Sequence, residues 1–301
     1  MANPSIFKNS MLLHSYAKIN LMLDVLGKRP DGYHELCMIM QTVSLYDDVH
    51  IIKTLKPDVI ELDCANRYVP GNEKNIAYKA AKLIFEKFPS ETNGFGLSIK
   101  IIKRIPIAGG LAGGSGNAAA VIKAMNSLFR LNLSNEKMCS LGLSLGADVP
   151  YCIVGGTMLS EGIGEKLTPL RPLAKLPFEK PPAFLLVNPE KPLSTAEVFT
   201  SIKEVSSLPH ANSDLLIKAL NAGDMETFFK NTANSLELPA FNFLPEISEI
   251  KDSLLKNGAL GALMSGSGPT IFGFFLDEEQ AQTASEKYIS NGYRAMVTTA
   301  V

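Results

Sequence analysis

Between Arg104 and Met125 the chain reads "RIPIAGGLAGGSGNAAAVIKAM", with five glycines in the eight positions Gly109 to Gly116 and then a run of alanines. The segment before it, "FGLSIKIIKRIPI", alternates Phe95, Leu97, Ile99 and Ile101 with smaller or polar residues, which predicts a strand. The segment after it carries Val121, Ile122, Met125, Leu128 and Phe129 at helical spacing. A strand, a glycine turn and a helix form an anion site, because bare backbone admits phosphate and the amides and dipole of a helix N-terminus favour negative charge. The Walker pattern is absent, since no lysine follows these glycines before Lys123, and G-x-G-x-x-G is not completed. On residue physics alone the stretch is either a phosphate cradle or a place where small residues let a helix pack closely on a sheet.

Working outward, "LHSYAKINLMLDV" places Ala17, Ile19, Leu21, Leu23 and Val25 on one parity and Lys18, Asn20, Met22 and Asp24 on the other, which predicts a half-buried strand. Lys18 and Asn20 then project from the same side, roughly 7 Å apart. A polar turn, "GKRPDGYHE", leads into a second strand, as in a hairpin. "NIAYKAAKLIFEKF" reads as a helix capped by Asn75, and "LSNEKMCSLGLSLGADVPY" as another capped by Ser134 and stopped by Gly146, with Asp148 just beyond. Prolines cluster between Lys166 and Pro192, suggesting a domain connection and a division into residues 1–165 and 166–301. The second half reads as mostly helical until "GALGALMSGSGPTIFGFF", where two apolar runs flank a turn from Ser265 to Pro269, followed by a helix from about Asp277 and a last strand near Tyr293.

The 301 residues suffice for two cores, and the 29 basic and 30 acidic side chains nearly cancel, which argues against nucleic acid or a membrane surface as partner. A small molecule fits better. Four scattered cysteines and four histidines show no disulfide framework and no metal-ligand spacing, so the expected metal ligands are none and the expected compartment is a reducing one. With no long apolar run, the chain is expected to be cytoplasmic. Taken singly, Lys18, His34 and Asp148 are ordinary strand, turn and post-helix residues, and "MSGSGPTIF" is an ordinary hairpin.

Their order is not ordinary. "YAKINLMLDVLGKRPDGYHEL", "RIPIAGGLAGGSGNAAA", "LGADVPYCIVGGTMLSEGIGEKL", "STAEVF" and "MSGSGPTIFGFF" together resemble the GHMP kinase superfamily over nearly the whole chain. That resemblance implies an α+β, two-domain GHMP kinase fold, with an N-terminal domain like ribosomal protein S5 domain 2, a C-terminal ferredoxin-like domain and an active site between them. It implies ATP as phosphoryl donor, with Mg2+, and a cytidyl diphosphate alcohol as substrate, in isoprenoid biosynthesis. The nucleotide loop would be Pro106, Ile107, Ala108, Gly109, Gly110, Leu111, Ala112, Gly113, Gly114, Ser115, Gly116 and Asn117. Lys18 and Asp148 would be catalytic. Asn20 would position the substrate, Tyr33 and Phe199 would stack on its base, His34 would bond the base edge, and Gly266, Ser267 and Gly268 would close near its phosphates. The protein would be a monomer or weak homodimer. Two other readings stay open: a GHMP kinase for another small alcohol such as homoserine or mevalonate, against which "DGYHE" speaks, and a catalytically silent nucleotide- or metabolite-binding paralogue. The latter is suggested by the loop, where the family usually has P-x-G-x-G-L-G-G-G-S-S-[DN]-A-A. Ala108 and Ala112 here replace glycines and Gly116 replaces the second serine, and an alanine forced to positive φ costs about 1 kcal/mol.

Overall fold

The computed structural model describes residues 9–301. In chain order its elements are β1 (Ser10–Lys28), β2 (His34–Thr54), β3 (Ile60–Cys64), α1 (Ile76–Lys87), α2 (Pro89–Thr92), β4 (Gly96–Ile102), α3 (Gly113–Leu128), α4 (Asn135–Leu143) and α5 (Val149–Val154). Then follow β5 (Thr157–Gly162), β6 (Lys166–Pro169), β7 (Ala183–Asn188), α6 (Thr195–Thr200), α7 (Ser213–Ala222), α8 (Met225–Asn231), α9 (Glu237–Phe243), α10 (Glu246–Lys256), β8 (Gly261–Met264), β9 (Ile271–Phe275), α11 (Glu278–Ser290) and β10 (Arg294–Thr298). The chain divides into two compact units.

The first unit holds the described residues through Ala17, Tyr46–Ile107 and Ala112–Val154. β4 pairs antiparallel with the second half of β2, from Asp48↔Ile102 to Thr54↔Gly96, and parallel with β3. Leu97, Ile99 and Ile101 are buried, as their alternation predicts, beneath α1 and α3. Those helices meet through small residues, Ala77, Ala80 and Ala81 on α1 and Ala118, Ala119 and Ala124 on α3. The Asn75 cap is present, its Oδ1 accepting from the Ala77 amide at 2.9 Å, and Ser134 caps α4 through the Lys137 amide.

The helix expected from the Ser134 cap to the Gly146 stop is α4, and a second short helix, α5, follows beyond that stop. The first ends at Leu143, and the second begins with Val149 and carries Pro150 in its opening turn, where a missing amide proton costs no hydrogen bond. A side chain at Gly142 would put its Cβ 2.7 Å from Val149 Cγ1, so glycine there lets α5 lie against α4.

The second unit holds Lys18–Leu45, Ala108–Leu111 and Gly155–Val301. The first half of β2 pairs with β5, and β5 with β6. A separate antiparallel sheet has the order β10-β7-β9-β8, its β8–β9 hairpin turning where "SGSGP" predicts. Asp277 caps α11 through the Glu279 amide at 2.9 Å. The second half is mostly helical up to β8, as expected, but β7 was not anticipated: "AFLLVN" is buried at every position. A strand covered on both faces loses its alternation, and a short apolar run then looks the same as a piece of buried helix.

β1 is a second correction. Lys18, Asn20, Met22 and Asp24 are 4%, 0%, 0% and 5% exposed, so the polar parity is buried as deeply as the apolar one. The reason is that its polar groups have partners. Asp24 Oδ1 accepts from Ser235 Oγ at 3.1 Å and holds His210 Nδ1 at 2.6 Å, while His210 Nε2 lies 3.0 Å from the Val205 carbonyl. Carboxylate and carbonyl can only accept, so both contacts of His210 are satisfied together when the ring is an imidazolium. The hydrogen bond to Asp24 accordingly holds the His210 pKa above its ordinary value, against some loss of hydration. A raised pKa gives stability that is complete below the unfolded value of about 6.5 and is lost as pH climbs through the folded one. Thermal midpoints measured from about pH 6 to pH 9 should therefore fall more steeply for the natural chain than for His210→Gln. Parallel curves would remove this clamp.

Candidate active site

In the second unit the glycine stretch contributes Ala108–Leu111, and the hairpin turn lies directly on it. Gly110 has φ +74, and a Cβ there would stand 2.0 Å from the Ser265 carbonyl oxygen, so only glycine fits. Ser265 Oγ donates to the Gly110 carbonyl at 2.9 Å. The same carbonyl accepts from Lys18 Nζ at 3.0 Å, and the Lys18 amide donates to Leu111 O at 3.1 Å. Lys18 Nζ also donates to Asn20 Oδ1 at 2.7 Å, so the two side chains on one side of β1 meet directly, with Asn20 Nδ2 lying 3.3 Å from Met38 Sδ. A Cβ on Gly266 would come within 3.2 Å of Lys18 Nζ. Asn234 Nδ2 fixes that turn by donating to the Met264 and Gly266 carbonyls at 2.7 and 2.8 Å.

From this cluster the turn reaches α6. Ser267 Oγ and Thr195 Oγ1 share a hydrogen bond of 2.7 Å, and on the same helix Phe199 sets its ring 5.1 Å from that of His34. Burial, with help from Lys28, pushes the His34 pKa down, which favours the neutral imidazole. A neutral ring donates at one nitrogen and accepts at the other, the pattern that a heterocycle's edge presents. Tyr33 is 60% exposed, its amide held by Asp31 Oδ1 at 3.1 Å.

In the first unit Gly113, Gly114, Ser115, Gly116 and Asn117 form the opening turn of α3. The Gly116 amide makes an intrahelical bond to Ala112 O at 2.8 Å, so the amides of Gly113, Gly114 and Ser115 precede the helix ladder, at the positive end of the helix dipole. Ala112, the N-cap, has φ 55, and Ala108 has φ 51. Both alanines thus occupy the left-handed region, at about 1 kcal/mol each. The third departure, Gly116, has a steric reason: a Cβ there would lie 2.5 Å from Ser15 Oγ. Pro106 is buried and Ile107 exposed at the entry to the loop. Asp148 is half-buried immediately before α5, and its carbonyl accepts from the Cys152 amide at 3.1 Å.

Sequence reading missed Ser265, Thr195, Asn234, Asp47 and Lys103. Ser265 and Thr195 lie inside motifs already singled out, whereas Asp47 and Lys103 carry no local signature. Among the described residues no group of three or more His, Cys, Asp or Glu is arranged to hold a metal, and no helix is long and apolar enough to cross a membrane.

Residues 75–156 match the family model described as the GHMP kinases N terminal domain, and residues 216–294 match GHMP kinases C terminal. A protein of Acetivibrio thermocellus named 4-diphosphocytidyl-2-C-methyl-D-erythritol kinase is 47% identical over 294 residues, 97% of this chain and 99% of its own. The chain is a member of the GHMP kinase family. Another relative of this GHMP kinase, from Clostridium kluyveri and bearing the same name, is 45% identical over 97% of the chain and 100% of its own length. A crystal structure of 4-(cytidine 5'-diphospho)-2C-methyl-D-erythritol kinase matches this GHMP kinase with a TM-score of 0.77 and 32% identity, covering 96% and 99% of the two chains. The homoserine kinase of Cytophaga hutchinsonii, with a TM-score of 0.74 at 18% identity over 97% of this chain and 95% of its own, shares the fold. The expected α+β GHMP kinase architecture is therefore the observed one, and the chain is an ATP-dependent small-molecule kinase.

Proposed function

We propose that this GHMP kinase transfers the γ-phosphoryl group of ATP to the 2-hydroxyl of 4-diphosphocytidyl-2-C-methyl-D-erythritol, in the non-mevalonate isoprenoid pathway. The observation that carries the reading is the 47% identity, over nearly both full lengths, to a protein of that name. The site residues support it. The His34–Phe199 pair suits a cytosine ring, one by hydrogen bonding and the other by stacking, with the exposed Tyr33 free to cover the second face of the base. Asn20 and the turn Gly266–Gly268 would position the remainder of the substrate.

In the proposed chemistry Asp148 takes the proton of the 2-hydroxyl as its oxygen attacks the γ-phosphorus. The bond from that phosphorus to the bridging oxygen breaks, and ADP leaves. Lys18 offsets charge on the transferred group. The loop Pro106–Asn117 holds the phosphates of ATP through backbone amides and the α3 dipole, which is why it needs no lysine of its own. Magnesium would arrive on the nucleotide's phosphates, as is usual for an ion that keeps several waters and takes few protein ligands. The division at residue 165, a cytoplasmic location and a monomer or weak homodimer belong to the same proposal.

A coupled assay of ADP release, with ATP, magnesium and a panel of alcohols, tests it. Turnover is expected with the cytidyl substrate and at least about 100-fold less with homoserine or mevalonate, because a site built to bond a base strongly rejects ligands lacking one. A folded protein giving no ADP with the cytidyl substrate would overturn the reading.

A further inference from the structure

Beside the nucleotide loop, and wholly within the first unit, a buried polar network joins four residues far apart in sequence. Asp47, near the middle of β2, is 0% exposed. Its Oδ1 accepts from the backbone amides of Arg104 and Ile105 at 2.7 and 2.9 Å. Its Oδ2 accepts from Lys103 Nζ and from Asn117 Nδ2, the latter at 3.0 Å. Lys103 Nζ also reaches Asn117 Oδ1 at 3.3 Å, and Asn117 Nδ2 donates to Ser15 Oγ at 3.0 Å. Arg104 and Ile105 lie immediately before the loop Pro106–Asn117, and Asn117 is its last residue. One carboxylate therefore grips both ends of the loop.

We infer that Asp47 is a positioning residue for the phosphoryl donor: with Lys103 and Asn117 it fixes the direction in which the first turn of α3 presents its amides. The inference rests on the reading of that loop as the ATP site. Its physical basis is the donor count. Four donors converge on two oxygens that only accept, in a place water does not reach, so no neutral group of the same shape can satisfy all four. Gly116 belongs to the same device. The Cβ of any larger residue would meet Ser15 Oγ, the hydroxyl that receives Asn117, so glycine at 116 keeps Asn117 seated. Errors of about 1 Å in such a support can cost about 100-fold at the reacting centre.

The decisive variant is Asp47→Asn, whose amide turns at least one donor of the network toward another donor. Titration calorimetry with ATP and magnesium, and separately with the cytidyl substrate, should show ATP affinity falling about 10- to 100-fold while cytidyl affinity stays within about twofold. The exchange Asp47→Asn with Asn117→Asp restores one carboxylate and one amide in contact, still within reach of Lys103, and should recover most of the lost ATP affinity. That rescue is not expected of a residue that merely stabilises the fold. Gly114→Asp separates the inference from the reading beneath it. It adds a carboxylate at an exposed position in the first turn of α3, its Cβ 3.5 Å from Ile76 Cγ2, where it favours the helix and opposes phosphate. Weakened ATP binding in Gly114→Asp with none in Asp47→Asn would overturn the brace alone. So would equal losses for both ligands in Asp47→Asn, or a double variant no better than the single one. No effect of Gly114→Asp would overturn the loop reading and the brace with it.

Discussion

Asp148→Asn should lower kcat by about 10³-fold while leaving the affinity for both substrates within a fewfold of the natural enzyme. An alcohol holds its proton tightly at neutral pH, and the amide of asparagine cannot take that proton, although it keeps the shape and hydrogen-bonding reach of the carboxylate. The backbone at this position should survive the change, because the local bond from Cys152 N goes to the Asp148 main-chain carbonyl at 3.1 Å and involves no side chain. Single-turnover rates and calorimetric affinities measured on the same preparation separate the two effects. Near-normal turnover would remove Asp148 as the base, whereas a parallel loss of affinity would recast it as a binding group.

Lys18→Met is expected to lower kcat by about 10²- to 10³-fold, the range for removing one fixed electrostatic contact to the transferred group. Methionine keeps most of the apolar stem, so β1 stays packed. What disappears is the ammonium, which bonds Asn20 Oδ1 at 2.7 Å and the Gly110 carbonyl at 3.0 Å. Gly110 O retains its bond from Ser265 Oγ, but Asn20 is 0% exposed and its oxygen loses a donor, so folding stability should also drop by about 1–3 kcal/mol. Lys18→Arg should not restore the rate, because a planar guanidinium cannot occupy a space shaped for a point charge that is only 4% exposed. A denaturant titration beside the rate measurement distinguishes lost chemistry from lost folding. Full activity in Lys18→Arg would contradict the geometric part of this account.

Much of the fold was legible because local signals agreed with one another. Asn75, Ser134 and Asp277 announce helix starts through side chains that act within three residues of themselves, and all three caps are present. The glycine stretch and the "SGSGP" turn were legible for the same reason. β7 was not, because burial on both faces erases the alternation that marks a strand. The helix α5 was not read, because its six residues past the Gly146 stop are too few to show a helical period. The candidate site divided along the same line: Lys18, His34, Phe199 and Asn117 were singled out by motif, but that Gly110, Ser265 and Lys18 meet at one carbonyl depends on chain folding across separations of 92 and 155 residues. Asp47 was beyond reach in principle, since nothing within "SLYDDV" shows that its partners lie some 56 to 70 residues later.

The burial of both faces of β1 limits how this enzyme can change over time. Lys18 serves the glycine turn, Asn20 leans on Met38, and Asp24 holds His210, all from one side of one strand. Because successive residues point opposite ways, inserting or deleting a single residue between Ala17 and Val25 would swing every later side chain to the wrong side. The proposed phosphoryl-transfer group, the proposed substrate-side amide and the structural clamp would lose their common register in one event. This segment can therefore drift by substitution, one partner at a time, but its length is held fixed by three unrelated tasks at once.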